Sequence, residues 1–184
     1  MGPMPGMNMA NAGSPVPGNP SPGNPSPGAA TINGTNGPDT LIGTNAGDQL
    51  NGMAGNDVIN GGGGADTITG GLGFDTLTGG AGPDVFRYNS IAEAAVSQGG
   101  PKETITDFDY TQDALSFGIL NGVFNFVSSS VGAFTGDSTN TEAMFDNATD
   151  TLTVDVDGDG RENMEIVMTN VNEADLSPAN LIFV

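Results

Sequence analysis

A nine-residue period runs through residues 34–86 and constrains the fold of this chain more than any other feature. An aspartate recurs every nine residues over six repeats: Asp39, Asp48, Asp57, Asp66, Asp75 and Asp84. A glycine lies five positions before each of these repeat aspartates: Gly34, Gly43, Gly52, Gly61, Gly70 and Gly79. An apolar residue lies two positions after each of them: Leu41, Leu50, Ile59, Ile68, Leu77 and Phe86. Three residue types in one phase indicate a repeat architecture rather than a flexible glycine-rich spacer.

Each repeat divides into a six-residue turn and a three-residue strand. Glycine-rich segments such as GGGGAD suit turns with positive φ, and triplets such as TIT place one apolar side chain between two polar neighbours. Strands this short are stable only when they pair with the next coil, at about 4.8 Å. Two repeats then make one coil of 18 residues. The pattern therefore predicts an all-β fold, a parallel β-roll with a thin apolar core.

Such a coil places alternate aspartates on opposite sides of the roll. One predicted column contains Asp39, Asp57 and Asp75, and the other contains Asp48, Asp66 and Asp84. Like charges at strand spacing repel by about 1 kcal/mol or more in partly dry surroundings, so a cation between successive turns is favourable. Calcium accepts about six to eight oxygen ligands in tolerant geometry, whereas magnesium requires a tight octahedron. We therefore predict that Ca²⁺ is the cofactor.

The repeats resemble the RTX nonapeptide GGxGxDxUx, in which U is apolar. GGGGADTIT (61–69), GGLGFDTLT (70–78) and GGAGPDVFR (79–87) match this pattern in full. The resemblance implies about four calcium sites between turns on the same side, with the repeat aspartates as ligands. It also implies a contribution from the backbone of nine glycines: Gly34, Gly43, Gly52, Gly61, Gly63, Gly70, Gly73, Gly79 and Gly82. Leu72, at the third position of its repeat, is assigned no role.

The first three repeats depart from the RTX pattern. GTNGPDTLI, GTNAGDQLN and GMAGNDVIN lack the second glycine, and Ala46 replaces the glycine at the fourth position of the second repeat. A threonine or methionine at a position of positive φ strains the backbone. We therefore expect weaker or irregular calcium sites at the N-terminal end of the roll, and firm sites around Asp66, Asp75 and Asp84.

The charge balance excludes several classes of partner and site. The 184 residues carry 22 acidic and 3 basic side chains, a formal net charge of −19, and include no cysteine or histidine. Nucleic acids and anionic membranes need clustered cations, and no stretch of sequence is long and apolar enough to span a membrane. Histidine, the commonest general base in enzymes, does not occur in the sequence, although an enzyme that uses carboxylates stays a formal alternative. We predict no nucleic acid partner, no membrane insertion and no enzymatic activity.

The chain divides into three parts. Residues 1–32 are rich in proline, glycine and asparagine and contain the near-repeat PGNPSPGNPSPG, which predicts a flexible or extended tail and no secretory signal. Residues 33–88 form the predicted β-roll of six repeats. Residues 89–184 contain strand-like runs and most of the phenylalanines. This last part is predicted to form a β-rich cap over the open end of the roll.

The C-terminal part also resembles a known segment. DVFRYNSIAEA, followed by ETITDFDYTQDALSF, resembles the region after the repeats in serralysin-type metalloproteases, RTX lipases and the R-modules of mannuronan epimerases. The resemblance implies that this region closes the roll and belongs to the part recognised by a type I exporter. No HExxH or GxSxG motif occurs in the sequence, so the resemblance covers only the accessory part of those proteins.

The first of two further acidic clusters lies in TDFDYTQD, at the predicted start of the cap. It contains Asp107, Asp109 and Asp113. These carboxylates either complete a calcium site on the last coil of the roll or lie in a solvated turn. The sequence favours neither interpretation over the other.

The second cluster, DVDGDG, contains Asp155, Asp157 and Asp159 and is like the first half of an EF-hand loop. Ile166 stands where the bidentate glutamate of such a loop belongs, and strand-like sequence flanks the cluster on both sides. DVDGDG is therefore interpreted either as a calcium-bound hairpin loop or as an unliganded Asp-Gly turn.

Together these features predict a protein that folds where calcium is abundant. In a calcium-poor cytoplasm the repeats repel one another and stay extended, which suits export. The predicted function is that of a non-enzymatic, secreted calcium-binding structural protein of a bacterial surface or matrix. It is exported by type I secretion machinery without a signal peptide and associates with itself into filaments or layers. The alternatives are a calcium-dependent module that binds acidic polysaccharide, and the detached C-terminal region of a larger secreted enzyme.

Overall fold

The computed structural model describes six segments of the chain: residues 28–96, 99–118, 123–127, 133–136, 140–177 and 180–183. Most of the predicted tail, residues 1–27, therefore lies outside the described residues. Within the described segments, no helix has the length and apolar character of a membrane span. Their secondary structure is almost entirely β-strand, with short 3-10 turns at Ile91–Ala94 and Glu173–Asp175. The predicted all-β class is confirmed.

Seven strands follow from the nine-residue period: β1 (Thr31–Asn33), β2 (Thr40–Ile42), β3 (Gln49–Asn51), β4 (Val58–Gly63), β5 (Thr67–Thr69), β6 (Thr76–Ala81) and β7 (Val85–Tyr88). The odd-numbered strands pair in parallel in one sheet, and the even-numbered strands pair in parallel in the other. Leu50 pairs with Ile68, and Leu41 pairs with Ile59, a shift of two repeats in both sheets. One coil therefore contains two repeats, and the predicted parallel β-roll is confirmed.

The apolar residue of each repeat points into the space between the two sheets. All six are at most 2% exposed: Leu41, Leu50, Ile59, Ile68, Leu77 and Phe86. Burial of one such side chain contributes about 1.5–3 kcal/mol relative to leaving it exposed. Because each coil supplies only two of these side chains, the core becomes continuous only when successive coils stack.

The C-terminal half adds seven strands: β8 (Glu103–Ile105), β9 (Ala114–Phe117), β10 (Val123–Phe126), β11 (Asn140–Asp146), β12 (Thr151–Asp155), β13 (Met164–Met168) and β14 (Leu181–Phe183). β8 pairs in parallel with β6, and β9 pairs in parallel with β7. Both sheets therefore continue beyond residue 88, which the sequence predicts to be the end of the roll. The even-numbered sheet continues from β8 through β13, β12 and β11 to β10, and the other sheet ends with β14 beside β9.

Large side chains cover the C-terminal end of the roll. Tyr88 stacks on Phe117 with ring centroids 5.5 Å apart, and Phe86 lies 6.1 Å from Phe108. The antiparallel strands β11, β12 and β13 add further buried side chains: Phe145, Leu152, Val154, Met164 and Ile166. All of these belong to the same hydrophobic cluster as the core of the roll. The last coil is therefore packed against apolar residues rather than left open to solvent.

Candidate calcium sites

The repeat aspartates form two hydrogen-bonded columns along the roll. Asp57 Oδ1 accepts from the backbone N–H of Asp39 at 2.8 Å, and Asp75 Oδ1 accepts from that of Asp57 at 2.7 Å. The second column has the same contacts, at 2.7 and 2.9 Å, between successive members of Asp48, Asp66 and Asp84. Each side chain therefore reaches back one coil, and the columns predicted from the period are present.

Both columns continue beyond the repeats into the C-terminal part. Glu103 Oε2 accepts from the N–H of Asp75 at 2.8 Å, and Asp113 Oδ1 accepts from that of Asp84 at 2.9 Å. The sequence interpretation missed Glu103, because it follows Asp75 by 28 residues rather than 18. A signal was available, since Glu103 stands two positions before buried Ile105, the same phase as in the repeats. Burial raises the pKa of Glu103 to about 9.

Five carboxylate oxygens among the described residues are buried and accept no hydrogen bond: Asp39 Oδ1, Asp57 Oδ2, Asp66 Oδ2, Asp75 Oδ2 and Asp84 Oδ2. All five belong to repeat aspartates, whose side chains are at most 4% exposed. A buried acceptor without a donor costs about 1–3 kcal/mol, and more when it is charged. Such oxygens are suited to a bound cation, because a cation offsets both the lost hydrogen bond and the buried charge.

The first glycine of a turn leaves the space into which these oxygens point. A Cβ atom on Gly52 would lie 2.3 Å from Asp57 Oδ2 and 2.4 Å from the carbonyl oxygen of Gly70, one coil later. The next turn repeats the arrangement, since a Cβ atom on Gly61 would lie 2.3 Å from Asp66 Oδ2. A carboxylate oxygen and a backbone carbonyl oxygen thus bound one small space between turns. These are the hard oxygen donors that calcium prefers.

Known proteins share both the repeats and the roll. A family model described as RTX calcium-binding nonapeptide repeat (4 copies) matches residues 26–59, 42–77 and 69–87. The solution structure of the AlgE6R2 subunit of mannuronan C5-epimerase from Azotobacter vinelandii is 30% identical, with 83% of this chain and 91% of that chain covered and a TM-score of 0.61. This chain belongs to the RTX family. The AlgE6R3 subunit of the same epimerase is 25% identical, with 93% of this chain and 86% of that chain covered and a TM-score of 0.40. No curated protein sequence matches the chain.

Membership of the RTX family agrees with the donors in the turns, and it confirms calcium as the cofactor. The residues that fit a calcium ion best are Asp57 with the Gly70 carbonyl, and Asp66 with the Gly79 carbonyl. Bound there, calcium supplies the positive charge that buried carboxylates need. The role of each individual aspartate and glycine as a ligand stays a prediction.

Three of the glycines that were predicted to contribute backbone to the calcium sites, Gly63, Gly73 and Gly82, do not hold the first position of a turn. They lie where the backbones of successive coils meet. Gly73 and Gly82 have φ of 141° and 122° and approach the coil before them so closely that a Cβ atom would lie within 2 Å of a carbonyl oxygen. Gly63 donates its N–H to the Thr44 carbonyl at 2.9 Å. Their observed contacts are therefore close packing and hydrogen bonding between coils, and calcium ligation by these three glycines stays a prediction.

Burial raises the pKa of the RTX aspartates in the middle and at the C-terminal end of the roll. The pKa of Asp75 and that of Asp84 rise to about 6, mainly because burial disfavours the ionised form and in part because other carboxylates lie nearby. Burial also raises the pKa values of Asp57 and Asp66. A calcium ion acts in the opposite direction, because it favours the ionised form.

The first additional acidic cluster closes the last RTX turn. The two carboxylate oxygens of Asp107 accept from the N–H groups of Gly79 and Gly80, both at 2.8 Å. Asp113 Oδ2 accepts from the N–H of Asp109 at 2.8 Å, while its other oxygen bonds Asp84. Asp107 and Asp113 therefore reach the last coil, and both use their oxygens on backbone donors. Calcium binding by Asp107, Asp109 and Asp113 stays a prediction.

The second additional cluster lies in the loop between β12 and β13. One oxygen from each of Asp155, Asp157 and Asp159 lies within 4.8 Å of the others. Asp155 is fully buried and accepts from the N–H groups of Gly158 at 2.8 Å and Gly160 at 2.7 Å. The structure thus brings the three carboxylates together. Whether DVDGDG holds calcium stays a prediction.

Proposed function

We propose that the calcium-folded chain is a secreted, non-catalytic binding module that holds an acidic polysaccharide on the outer face of its odd-numbered sheet. The observation that supports this most is the chemistry of that face. In a chain with a net charge of −19, strands β1 to β7 carry no carboxylate in either sheet, and the one basic residue among them, Arg87, lies in β7 of the odd-numbered sheet. A polyanion is therefore not repelled locally on this face, although it is repelled by the protein as a whole.

The outward side chains of this sheet repeat from strand to strand. Because the strands are paired in register, equivalent positions lie one above another at about 4.8 Å. One row contains Thr31, Gln49 and Thr67, and the next contains Asn33, Asn51 and Thr69. Together with Arg87 and Asn89 they line a groove on the face. Regularly spaced amide and hydroxyl groups suit a ligand that itself repeats along its length, such as a polysaccharide.

The relatives support the same class of ligand. The AlgE6R2 subunit, which this chain resembles over most of its length, belongs to an enzyme named for mannuronan, a polymer of uronic acid residues. Each uronate offers a carboxylate, and arginine binds carboxylates through two parallel N–H groups. Arg87 is therefore proposed as the residue that selects an acidic over a neutral polymer.

Binding of polymannuronate to the calcium-loaded protein tests this proposal. Arg87→Gln is expected to weaken binding about 10- to 100-fold, because a hydrogen bond to a charged group contributes about 1.5–3 kcal/mol. Arg161→Gln is the matched control: it removes the same charge from the exposed loop after β12 and should leave binding unchanged. Chelation of calcium should abolish binding, and neutral dextran should not be retained. Equal binding by the two variants would contradict a role for this face.

We also propose the route by which the protein becomes extracellular. RTX repeats in a secreted protein fit export of an unfolded chain, because the paired columns of aspartates repel where calcium is scarce. Export through a type I system without a signal peptide is the route that agrees with this behaviour. The surface or matrix of a bacterium is the proposed destination.

A second candidate function is self-association through the N-terminal end of the roll. β1 and β2 are terminal strands of the two sheets within the described part of the chain, and buried Asp39 Oδ1 at that end accepts no hydrogen bond. Open sheet edges favour pairing with another chain. Sedimentation at millimolar calcium should then show species larger than a monomer that disappear with chelator. A strictly monomeric protein at all concentrations would exclude filaments or layers formed in this way.

A further inference from the structure

The six turns of the repeats fall into two conformational classes. In the last four, the second turn residue has positive φ: Met53 (75°), Gly62 (101°), Gly71 (101°) and Gly80 (99°). The fourth residue of the same turns also has positive φ: Gly55, Gly64, Gly73 and Gly82. In the first two turns, the equivalent residues do not: Thr35, Gly37, Thr44 and Ala46. We call turns 52–57, 61–66, 70–75 and 79–84 the open turns, and turns 34–39 and 43–48 the closed turns.

The second residue directs its N–H group differently in the two classes. In the closed turns it donates to the aspartate of its own turn: Thr35 N–H to Asp39 Oδ2 at 2.6 Å, and Thr44 N–H to Asp48 Oδ2 at 2.5 Å. In the open turns the corresponding Oδ2 accepts nothing: Asp57, Asp66, Asp75 and Asp84. The correspondence between backbone conformation and an unsatisfied Oδ2 holds in all six turns.

We propose that the second turn residue decides whether a repeat takes up calcium. In both closed turns a backbone N–H group already occupies Oδ2 of the aspartate, and only Oδ1 of Asp39 is left without a donor. Each open turn instead keeps its buried Oδ2 for calcium. Calcium therefore loads the middle of the roll, around Asp57, Asp66, Asp75 and Asp84. This inference rests on calcium binding by the repeat aspartates, and it is independent of polysaccharide binding.

The same closed contact occurs at the other end of the roll. Asp113, which continues one column after Asp84, accepts at Oδ2 from the N–H of Asp109, four residues before it. Thr35 and Thr44 make the equivalent contact four residues before Asp39 and Asp48. In the column that contains Asp84 and Asp113, a contact of the closed type therefore lies on both sides of the open turns.

Sequence explains why the closed turns stay closed. Opening them requires positive φ at Thr35 or Thr44, and a β-branched residue strongly disfavours that region. The second turn would require it at Ala46 as well. Only glycine adopts this conformation without a steric penalty. A glycine pair in the second turn should therefore open it. Met53 shows that an unbranched residue can adopt positive φ at the second position when the fourth is glycine, so the turn should stay closed only while Thr44 is kept.

Calcium stoichiometry of the full chain, measured by native mass spectrometry, tests the proposal. Thr44→Gly with Ala46→Gly is expected to bind one more calcium ion per chain than the wild type. The matched control, Ala46→Gly alone, keeps the β-branched Thr44 and should bind the same number as the wild type. Circular dichroism with calcium shows whether each variant is folded. A folded glycine variant that gains no calcium would overturn the proposal.

If the glycine variant does not fold, a second pair of variants tests whether closed turns bind calcium. Asp48→Asn lies in a closed turn and Asp66→Asn in the adjacent open turn of the same column, and asparagine keeps one acceptor oxygen in each. Asp48→Asn should leave the number of bound calcium ions unchanged, whereas Asp66→Asn should lose at least one. Equal losses in the two variants would show that closed turns also bind calcium.

Discussion

Chelation of calcium is expected to unfold the β-roll at neutral pH. Without the metal, the five buried carboxylate oxygens that accept no hydrogen bond would together cost on the order of 5–15 kcal/mol. The free energy of unfolding of a typical domain is about 5–15 kcal/mol, so a cost of this size is enough to unfold the roll. Far-ultraviolet circular dichroism should lose its β signal with chelator and regain it when calcium returns. Magnesium at the same concentration, the control, should restore little of it, because it does not readily exchange its waters for protein carbonyls.

Acid should partly replace calcium in the chelated protein. The folded-state pKa values of Asp75 and Asp84 are raised to about 6, so protonation favours the fold. That contribution is fully present below the unfolded-state pKa of about 3.9 and is lost as pH rises through about 6. Chelated protein moved from pH 7 to pH 5 should therefore gain β structure. Identical spectra with calcium and with chelator at pH 7 would contradict coupled folding, whatever happens at pH 5.

Gly73→Ala is expected to destabilise the calcium-loaded protein by about 3–5 kcal/mol. The new Cβ atom would lie 1.7 Å from the carbonyl oxygen of Gly55, and φ at this position is 141°. The backbone at Gly55 cannot move away easily, because Gly55 belongs to the preceding coil and is itself held by the N–H···O bond that it donates to the Leu72 carbonyl at 2.8 Å. Thermal unfolding at saturating calcium should show a midpoint lower by roughly 6–20 °C, since about 1 kcal/mol corresponds to about 2–4 °C at this size.

Gly37→Ala provides the matched control for this substitution. Gly37 holds the same fourth position in the first turn, but its φ is not positive and an added Cβ atom would meet nothing within 4 Å. Its replacement should change stability by no more than about 0.5 kcal/mol. If the two alanine variants have the same midpoint of thermal unfolding, the close approach of the coils at Gly73 does not limit stability, and the packing described for the open turns is wrong.

The period of the sequence was sufficient to predict the roll because every element in it is local and regular. An apolar residue every nine positions, with polar neighbours, specifies which side chain of each short strand is buried. Ile68 and Leu77 lie in opposite sheets for this reason alone, and both are buried as predicted. The two aspartate columns follow from the same arithmetic, since residues 18 apart must lie on the same side once two repeats make one coil.

What the period could not show is which carboxylate oxygens are already satisfied. Asp48 and Asp66 have identical places in the repeat, yet one accepts two backbone N–H groups and the other keeps a buried oxygen without a donor. The difference depends on the φ angle at Thr44 and Gly62, and on which N–H groups that angle brings within reach. Glu103 was missed for a related reason: the turn before it is longer than a repeat, and only the pairing of β8 with β6 restores its place in the column.

Sequence by itself therefore determined the class of fold, the buried apolar residues, the columns of aspartates and the need for a divalent cation, because all of these follow from a fixed spacing along the chain. Tertiary structure showed which carboxylate oxygens are left without a donor, because the donors depend on backbone angles within the turn and on the adjacent coil, which spacing does not specify. Repeats with the same nine-residue spacing therefore differ in whether an N–H group of their own turn reaches Oδ2 of the aspartate.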